Sequence, residues 1–475
     1  MKNKTTVKPA QILIITMLMM ILPQPLHAAI INVPEDFELI SWALGVAEEG
    51  DTIIVQPGEY EEAIAFTGEQ VTLASLFLIT GERRYIDSTV IAPPNSQALY
   101  IDHGEDSTTI VSGLTIKGGE GQYGGGIYVS GSSPILTDLV VTENESGILG
   151  GGIYCTQGGK PLIRNCRIEY NTTSGSGGGI AVAHGAQPRI EGCVIFSNTA
   201  AVNGGGVFAG HGEGSFKLSY TEISYNQADS GGGIFTNTVY TCSATNLTIA
   251  RNMAEYGGGI AVGAGGEDGG MSYFSLKNSI VWDNDSPQLV MMTYRRQDIG
   301  IAEFDYCDLA QVYDAYIADS CRYFLNDCLS DDPLFVDSDN ADFHLDEDSP
   351  CIDTGDPDGL IDPDSTRLDM GAYPFDQRLT VDGLIKHPPV SFTLLSLYPN
   401  PFNAQLNIQI MHPVEDAAIE IFDLTGKRIV SFASLNGISG IVNCSWDAHN
   451  HPAGTYLVRY NHPLSPTVQM VTLLK

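Results

Sequence analysis

Gly177-Gly178-Gly179-Ile180 is one of six copies of the same four-residue phrase. The others are Gly124-Gly125-Gly126-Ile127, Gly150-Gly151-Gly152-Ile153, Gly204-Gly205-Gly206-Val207, Gly231-Gly232-Gly233-Ile234 and Gly257-Gly258-Gly259-Ile260. Their starts lie 26, 27, 27, 27 and 26 residues apart. So constant a period marks a solenoid, in which each repeat buries its apolar face only by stacking on the next. Each unit closes on an Asn: Asn144, Asn171, Asn198, Asn226, Asn252 and Asn284. Three residues before these stand Val141, Ile168, Ile195, Ile223, Ile249 and Val281. Five before stand Leu139, Cys166, Cys193, Thr221, Leu247 and Ser279, and eight before stand Leu136, Ile163, Ile190, Leu218, Ala244 and Leu276.

Within each short run the apolar positions alternate, so the runs are strands. Three strands per repeat leave no room for a crossover helix, and parallel strands must then be joined by winding the chain as a coil. The expected fold is all-β: a right-handed parallel β-helix followed by a small C-terminal β-sandwich. Each column becomes a stack of like residues with a rung spacing of about 4.8 Å. The Asn column predicts a ladder of side-chain amides at a turn. The glycines predict positive φ and close backbone approach at another corner. No helix-forming run with Lys-Ser/Thr follows them, so a phosphate-cradling loop is excluded. The repeats resemble the pectin-lyase-like right-handed β-helix superfamily, and within it the Gly-Gly-Ile and Asn repeats of polymorphic outer-membrane-protein type. That resemblance covers roughly residues 30–375 and implies a fold rather than an activity, because fold does not fix function.

The formal charge is −34. Lys2, Lys4 and Lys8, the apolar run Ile12 to Leu22, and small Ala28 and Ala29 read as a secretory signal cleaved after Ala28. Without those lysines the mature chain stands near −37. A balance that acidic excludes nucleic acid and anionic lipid as expected partners. No later segment reads as a membrane-spanning helix. Nine cysteines leave an odd thiol. Cys166 and Cys193, one coil apart in one column, read as a reduced buried pair, whereas Cys307, Cys321, Cys328 and Cys351 fall where disulfides are expected.

Residues 35–48, with Phe37, Ile40, Leu44 and Ala47 on one face, suit a helical N-terminal cap. At the other end, residues 298–369 are strongly acidic. Asp353, Asp356, Asp358, Asp362 and Asp364 crowd a Pro- and Gly-containing loop, a candidate Ca²⁺ site of hard oxygen ligands that does not meet the EF-hand pattern. Asp332-Pro333-Leu334-Phe335, Ser349-Pro350-Cys351-Ile352-Asp353-Thr354-Gly355 and Arg367-Leu368-Asp369-Met370-Gly371-Ala372-Tyr373 resemble the closing region of bacterial β-helix proteins. No cofactor is otherwise implied.

The expected organisation is a signal peptide over 1–28, a β-helix over 29–375, a linker over 376–394 and a β-sandwich over 395–475. Alternating runs such as Leu406-Asn407-Ile408-Gln409-Ile410 and Gly454-Thr455-Tyr456-Leu457-Val458-Arg459-Tyr460 define the sandwich. Tyr398-Pro399-Asn400-Pro401-Phe402, Ile421-Phe422-Asp423-Leu424-Thr425-Gly426-Lys427, Pro452-Ala453-Gly454-Thr455-Tyr456 and the final Leu473-Leu474-Lys475 resemble the type A C-terminal sorting domain of type IX secretion. The resemblance implies a Gram-negative host, passage through the periplasm, recognition by an outer-membrane translocon, and release or surface attachment.

Candidate catalytic residues are few. Gly210-His211-Gly212 matches a tripeptide of polygalacturonase-like hydrolases, but the companion aspartates are missing, and a glycosidase needs two carboxylates across the scissile bond. His184 and His211 stand four residues after the β-branched residue of their triplets, one coil apart. Beside them the alternation points Tyr128, Tyr154, Phe208 and Phe235 outward, with a gap at Ala181. Sugar rings stack on such platforms, and two imidazoles can bind metal or move protons. The expectation is a secreted or surface protein that binds polysaccharide or another extracellular polymer. The rivals are a polysaccharide lyase or glycoside hydrolase with a diverged site, and a structural or adhesive surface protein.

Overall fold

A computed structural model describes residues 28–210, 212, 214–237, 241–264, 271–285, 287–293, 298–310 and 316–380, together with C-terminal segments 395–398, 405–411, 418–423, 427–432, 441–461 and 467–474. Residues 1–27 of the expected leader and Pro399 to Phe402 lie outside these residues, as do His211 and most of the linker. The chain winds as a right-handed parallel solenoid of about 9 turns. Each coil feeds three sheets: a long one of 20 strands, one of ten that follows the glycine triplets, and a narrow one of six that follows the Asn column. Stacking is in register, as in Ile153↔Ile180↔Val207↔Ile234↔Ile260.

Besides the first glycine of each triplet, two bends per coil use left-handed backbone. The first splits the coil's two runs in the long sheet and falls at Asp138, Asn165, Gly192, Tyr220, Asn246 and Asn278, mostly the residue types that tolerate positive φ. The second immediately precedes each Asn. There the ladder forms as expected: the Asn171 backbone N–H and Nδ2 donate to Asn198 Oδ1 at 3.0 and 2.9 Å. Asn198 Nδ2 donates to the Ile168 carbonyl at 2.8 Å and to Asn226 Oδ1 at 3.0 Å. Each amide thus satisfies backbone groups on the previous rung that water cannot reach. The glycines are needed for different reasons within one triplet. Gly177 has φ +76, whereas a Cβ on Gly178 would meet the Gly205 carbonyl oxygen at 2.6 Å and one on Gly179 the Gly206 oxygen at 2.7 Å.

At the N-terminal end, strand β1 (Ile30–Val33) pairs with Thr52–Val55. The cap helix α1 (Ile40–Val46) is shorter than the expected 35–48 and buries Ile40, Ala43 and Leu44. Its N-cap Leu39 offers no side-chain acceptor, so the Glu62 carboxylate takes the first N–H groups instead, at 2.8 Å from Ile40 and 3.0 Å from Ser41.

The acidic end is more than a loop-rich terminus. Residues 330–376 fold back as a strap over the outer face of the long sheet. Ile280 packs there with Leu345, Cys351 and Met370, and with partly buried Trp282, Phe335 and Phe375. Asn246 Nδ2 donates to the Asp369 carbonyl, the Gly371 N–H to the Asn278 carbonyl, and the Ala372 N–H to Thr248 Oγ1 at 3.0 Å. The C-terminal unit comprises antiparallel sheets of three and four strands around Leu406, Ile408, Ile421, Trp446, Tyr456 and Val471.

Inside and outside are separable by substitution. Ile195→Asp, in the core column, should abolish soluble folding, because an unpaired buried carboxylate is not tolerated. Exposed Thr199→Asp should leave the melting temperature nearly unchanged. Asn198→Ala, which strands donors and an acceptor on two rungs, should cost about 3 kcal/mol in chemical denaturation. Equal stability of all three variants would overturn the assignment of the columns.

Candidate functional site

The aromatic column on the ten-stranded sheet does not form an exposed platform. Tyr154 and Phe208 are each 3% exposed and Phe235 1%. They form a second apolar cluster outside the coil, with Leu149, Ala181, Ala183, Ala261 and Val290, and with Tyr128 partly buried beside it. Phe208 stacks on Phe235 at 5.8 Å and 16°, and Tyr123 stacks on Tyr154 at 5.5 Å. Gly210 lies so close that a Cβ there would sit 2.5 Å from Phe208 Cζ. The rings are packing because they cover one another, which residue alternation cannot reveal. His184 is exposed and takes positive φ, and its Nδ1 sits 3.3 Å from the Tyr154 hydroxyl and 3.2 Å from Thr156 Oγ1. A His184–His211 pair cannot be assembled within the described residues.

The open face lies instead on the long sheet, in the coils that the strap leaves bare. Leu162↔Arg189↔Lys217 and Arg164↔Glu191 are in register there, and Arg167 follows in the coil of Arg164. Arg164 Nε lies 3.5 Å from Glu191, which also pairs with Arg189. Arg167 pairs with Glu169 at 2.5 Å. Four cations on three consecutive coils therefore face two carboxylates. At the adjoining corner runs an aromatic row. Tyr170, 52% exposed, meets Phe196 edge-on at 5.6 Å; Phe196 meets Tyr225 at 5.5 Å; and Tyr225 meets Phe343 of the strap at 6.2 Å. Its residues stand one or two places before the Asn of their coils, a sequence signal available but unused.

Where the strap meets this face, buried Glu222 accepts hydrogen bonds from Ser224 Oγ and the Tyr373 hydroxyl. Burial pushes its carboxyl up, and Arg167 opposes that from the open side. His344 stacks on Tyr373 at 4.4 Å and its Nδ1 sits 2.7 Å from Asp342. These contacts pin the strap's edge beside the cationic face.

The five aspartates proposed for Ca²⁺ do not converge. Asp356 is drawn away by Lys277 at 2.5 Å, which holds its carboxyl below the usual range, and Asp358 is exposed. Asp353, Asp362 and Asp364 instead crowd Asp369, and backbone N–H groups occupy several of the oxygens. Asp369 Oδ1 accepts from the Asp353 N–H at 2.7 Å and Oδ2 from the Phe375 N–H at 2.6 Å, while Asp362 Oδ2 accepts from the Asp369 N–H at 2.7 Å. Among the described residues no group of three or more His, Cys, Asp or Glu is arranged to hold a metal ion. Burial, then Asp369, pushes Asp362 up to about 8, and burial pushes Asp369 to about 6. Under the same strap, burial raises Asp308 to about 6, and the Cys351 thiol donates to its Oδ2 at 3.2 Å.

Residues 97–302 match the family described as right handed beta helix region, and residues 396–471 match the secretion system C-terminal sorting domain. The chain is thus a right-handed parallel β-solenoid whose C-terminal residues match a secretion-system sorting domain, which indicates export out of the cell or to the cell surface. The curated proteins contain no significant match. Among solved structures, the enzymatically active domain of bacteriophage CBA120 tailspike protein 4 is similar at 11% identity and a TM-score of 0.32, over 89% of this chain. The chain spans 62% of that domain's length. No helix among the described residues is long and apolar enough to cross a membrane.

The raised carboxyls set a pH dependence. Each binds its proton more firmly in the docked strap than when free, so docking is strongest below the ordinary carboxylate range, about 4, and weakens as pH rises towards about 8, the Asp362 value. Backbone hydrogen exchange over 335–375, corrected for intrinsic rates and run with chelator, should be slower at pH about 5 than at about 8.5. Asp362→Asn should flatten the difference. Equal protection at both pH values would show that these carboxyls do not hold the strap.

Proposed function

We propose that this exported β-helix protein binds an extracellular polysaccharide along the bare face of its long sheet. The observation that carries the reading is Arg164, Arg167, Arg189 and Lys217 on three consecutive coils of a chain with only 23 cations and a net charge of −34. Three coils span about 10 Å, the scale of a few sugar units. Guanidinium groups suit the carboxylates or hydroxyls of such units, binding carboxylates in bidentate fashion. Tyr170 and Phe196 offer ring faces at the edge of the same surface, and sugars pack on such faces.

A panel of neutral and uronate-containing soluble polysaccharides, titrated against the mature chain by calorimetry, tests this. Binding should weaken about tenfold in Arg189→Ala and again in Tyr170→Ala, with melting temperatures unchanged. Added salt should weaken binding to an acidic polymer through screening. A polysaccharide that binds both variants as tightly as the native protein would place the site elsewhere.

The sorting domain supports a separate prediction. Deleting 395–475 should leave the solenoid folded and retained in the periplasm of its natural host. Normal levels of the truncated chain in the medium or on the surface, by immunoblot of cell fractions, would refute the role of this domain as the address.

A further inference from the structure

The last two rungs of the solenoid carry stacked cysteines. Cys307 and Cys328 continue the column of Leu139, Cys166, Cys193, Thr221, Leu247 and Ser279: the Asp308 N–H donates to the Ser279 carbonyl, and the Leu329 N–H to the Cys307 carbonyl, both at 2.8 Å. Each follows a left-handed residue, Tyr306 or Asp327, and Asp308 bridges Leu329 in parallel. The two Cα atoms are therefore one rung apart, about 4.8 Å, inside the span of about 4.4–6.8 Å that a disulfide needs. Both thiols lean on backbone carbonyls of the rung beneath, Cys307 on Leu276 at 3.4 Å and Cys328 on Phe304 at 3.2 Å, so the two side chains point the same way, one above the other.

We propose that Cys307 and Cys328 are an oxidation site, and that a disulfide between them staples the final rung of the coil once the protein leaves the reducing cytoplasm. A second pair supplies the internal contrast. Cys166 and Cys193 have the same rung offset and the same thiol contact, but both are sealed in the core. Cys328 is half-buried, with one side reachable from solvent, while Cys307 is fully buried behind it. The neighbouring Cys307 thiol holds the Cys328 thiol below its usual value, and burial pushes Cys307 up. Cys328 is thus the attacking thiolate and Cys307 the resolving thiol.

With oxidised glutathione as the oxidant, the Cys328 thiolate attacks one glutathione sulfur, breaks its S–S bond and releases one glutathione thiolate. Cys307 then gives up its proton and attacks the Cys328 sulfur, expelling the second glutathione. Two protein thiols are oxidised to one disulfide, one glutathione disulfide is reduced to two thiols, and both protons end on glutathione. A solenoid frays most easily from its ends, and the strap departs from the stack directly after this rung, so a crosslink here ties the last rung to the one beneath it.

The test uses the full mature chain, treated with oxidised glutathione, alkylated, denatured and cleaved before aspartate. Cleavage at Asp305, Asp308, Asp327 and Asp331 puts Cys307 and Cys328 on separate short peptides, apart from Cys321 and Cys351. Mass spectrometry should find those two peptides joined, with Cys166 and Cys193 still thiols. In Cys307→Ser, glutathione retained on Cys328 should rise about tenfold, because the resolving thiol is gone. Recovery of Cys307 and Cys328 as thiols after exhaustive treatment, or joining of Cys328 to Cys321 or Cys351, would overturn the proposal. So would unchanged glutathione retention in Cys307→Ser alongside an unjoined native pair.

Discussion

In-register stacking of one coil on the next is the constraint on which this molecule rests. A parallel coil has no hairpins and no crossover helices, so its bends must satisfy buried backbone groups by themselves. The Asn ladder does this with one side chain per coil. Asn198 accepts from the Asn171 backbone and amide, and donates to the Ile168 carbonyl and to Asn226. Such a ladder works only at fixed spacing, and the glycine triplets maintain that spacing directly beside it, where Gly178 and Gly179 face carbonyl oxygens of the neighbouring rung and a Cβ on Gly179 would lie 3.1 Å from Asn198 Nδ2. The two columns are therefore coupled. A side chain at Gly178 would push apart the rungs that the amide of Asn198 must span.

What was legible in the sequence is what repeats. The apolar columns, the Asn ladder and the glycine corners follow from translation along one axis, so six copies of each were there to align. Alternation also separates the inside of a coil from its outside, but outside is not the same as solvent. Phe208 and Phe235 point away from the coil axis and are nonetheless buried, because adjacent rungs place their rings in contact. Tyr170, Phe196 and Tyr225 were overlooked because they sit at or beside the left-handed bend before each Asn, where the strand alternation breaks. The strap was legible only as an acidic, non-periodic stretch. Its place on the sheet is set by contacts such as Tyr373 with Glu222 and Asp369 with Asn246, more than a hundred residues apart in sequence, which no local pattern encodes.

Acidity read as composition suggested a cation at the aspartate-rich loop. Placed in the fold, the same residues divide. Asp356 has its own lysine, while Asp362 and Asp369 approach each other within the strap, where burial raises both carboxyls and the Asp369 N–H bonds Asp362. This division also shapes the electrostatics of the sheet. Where the strap ends, burial raises the carboxyl of Glu222, and Ser224, Tyr373 and Arg167 oppose that shift. On the bare coils beyond it Arg164, Arg167, Arg189 and Lys217 present cations on a strongly acidic protein.

The two ends of the solenoid meet the same problem differently. At the N-terminus a seven-residue helix lies over the core, and Glu62 from the next part of the chain supplies the cap that Leu39 lacks. Glu62 can do so because the chain returns there within one coil. At the other end no further coil follows among the described residues, and the chain leaves along the side of the sheet. Apolar residues of the strap therefore cover Ile280 on the outer face, and the final rung, with Cys328 half-buried, depends on Cys307 beneath it. An end held by its neighbour rung alone is where a covalent link has the most fraying to suppress, and it is also where an oxidant can reach a thiol. Stability and reactivity coincide at that rung for the same geometric reason: among the described residues nothing stacks on top of it.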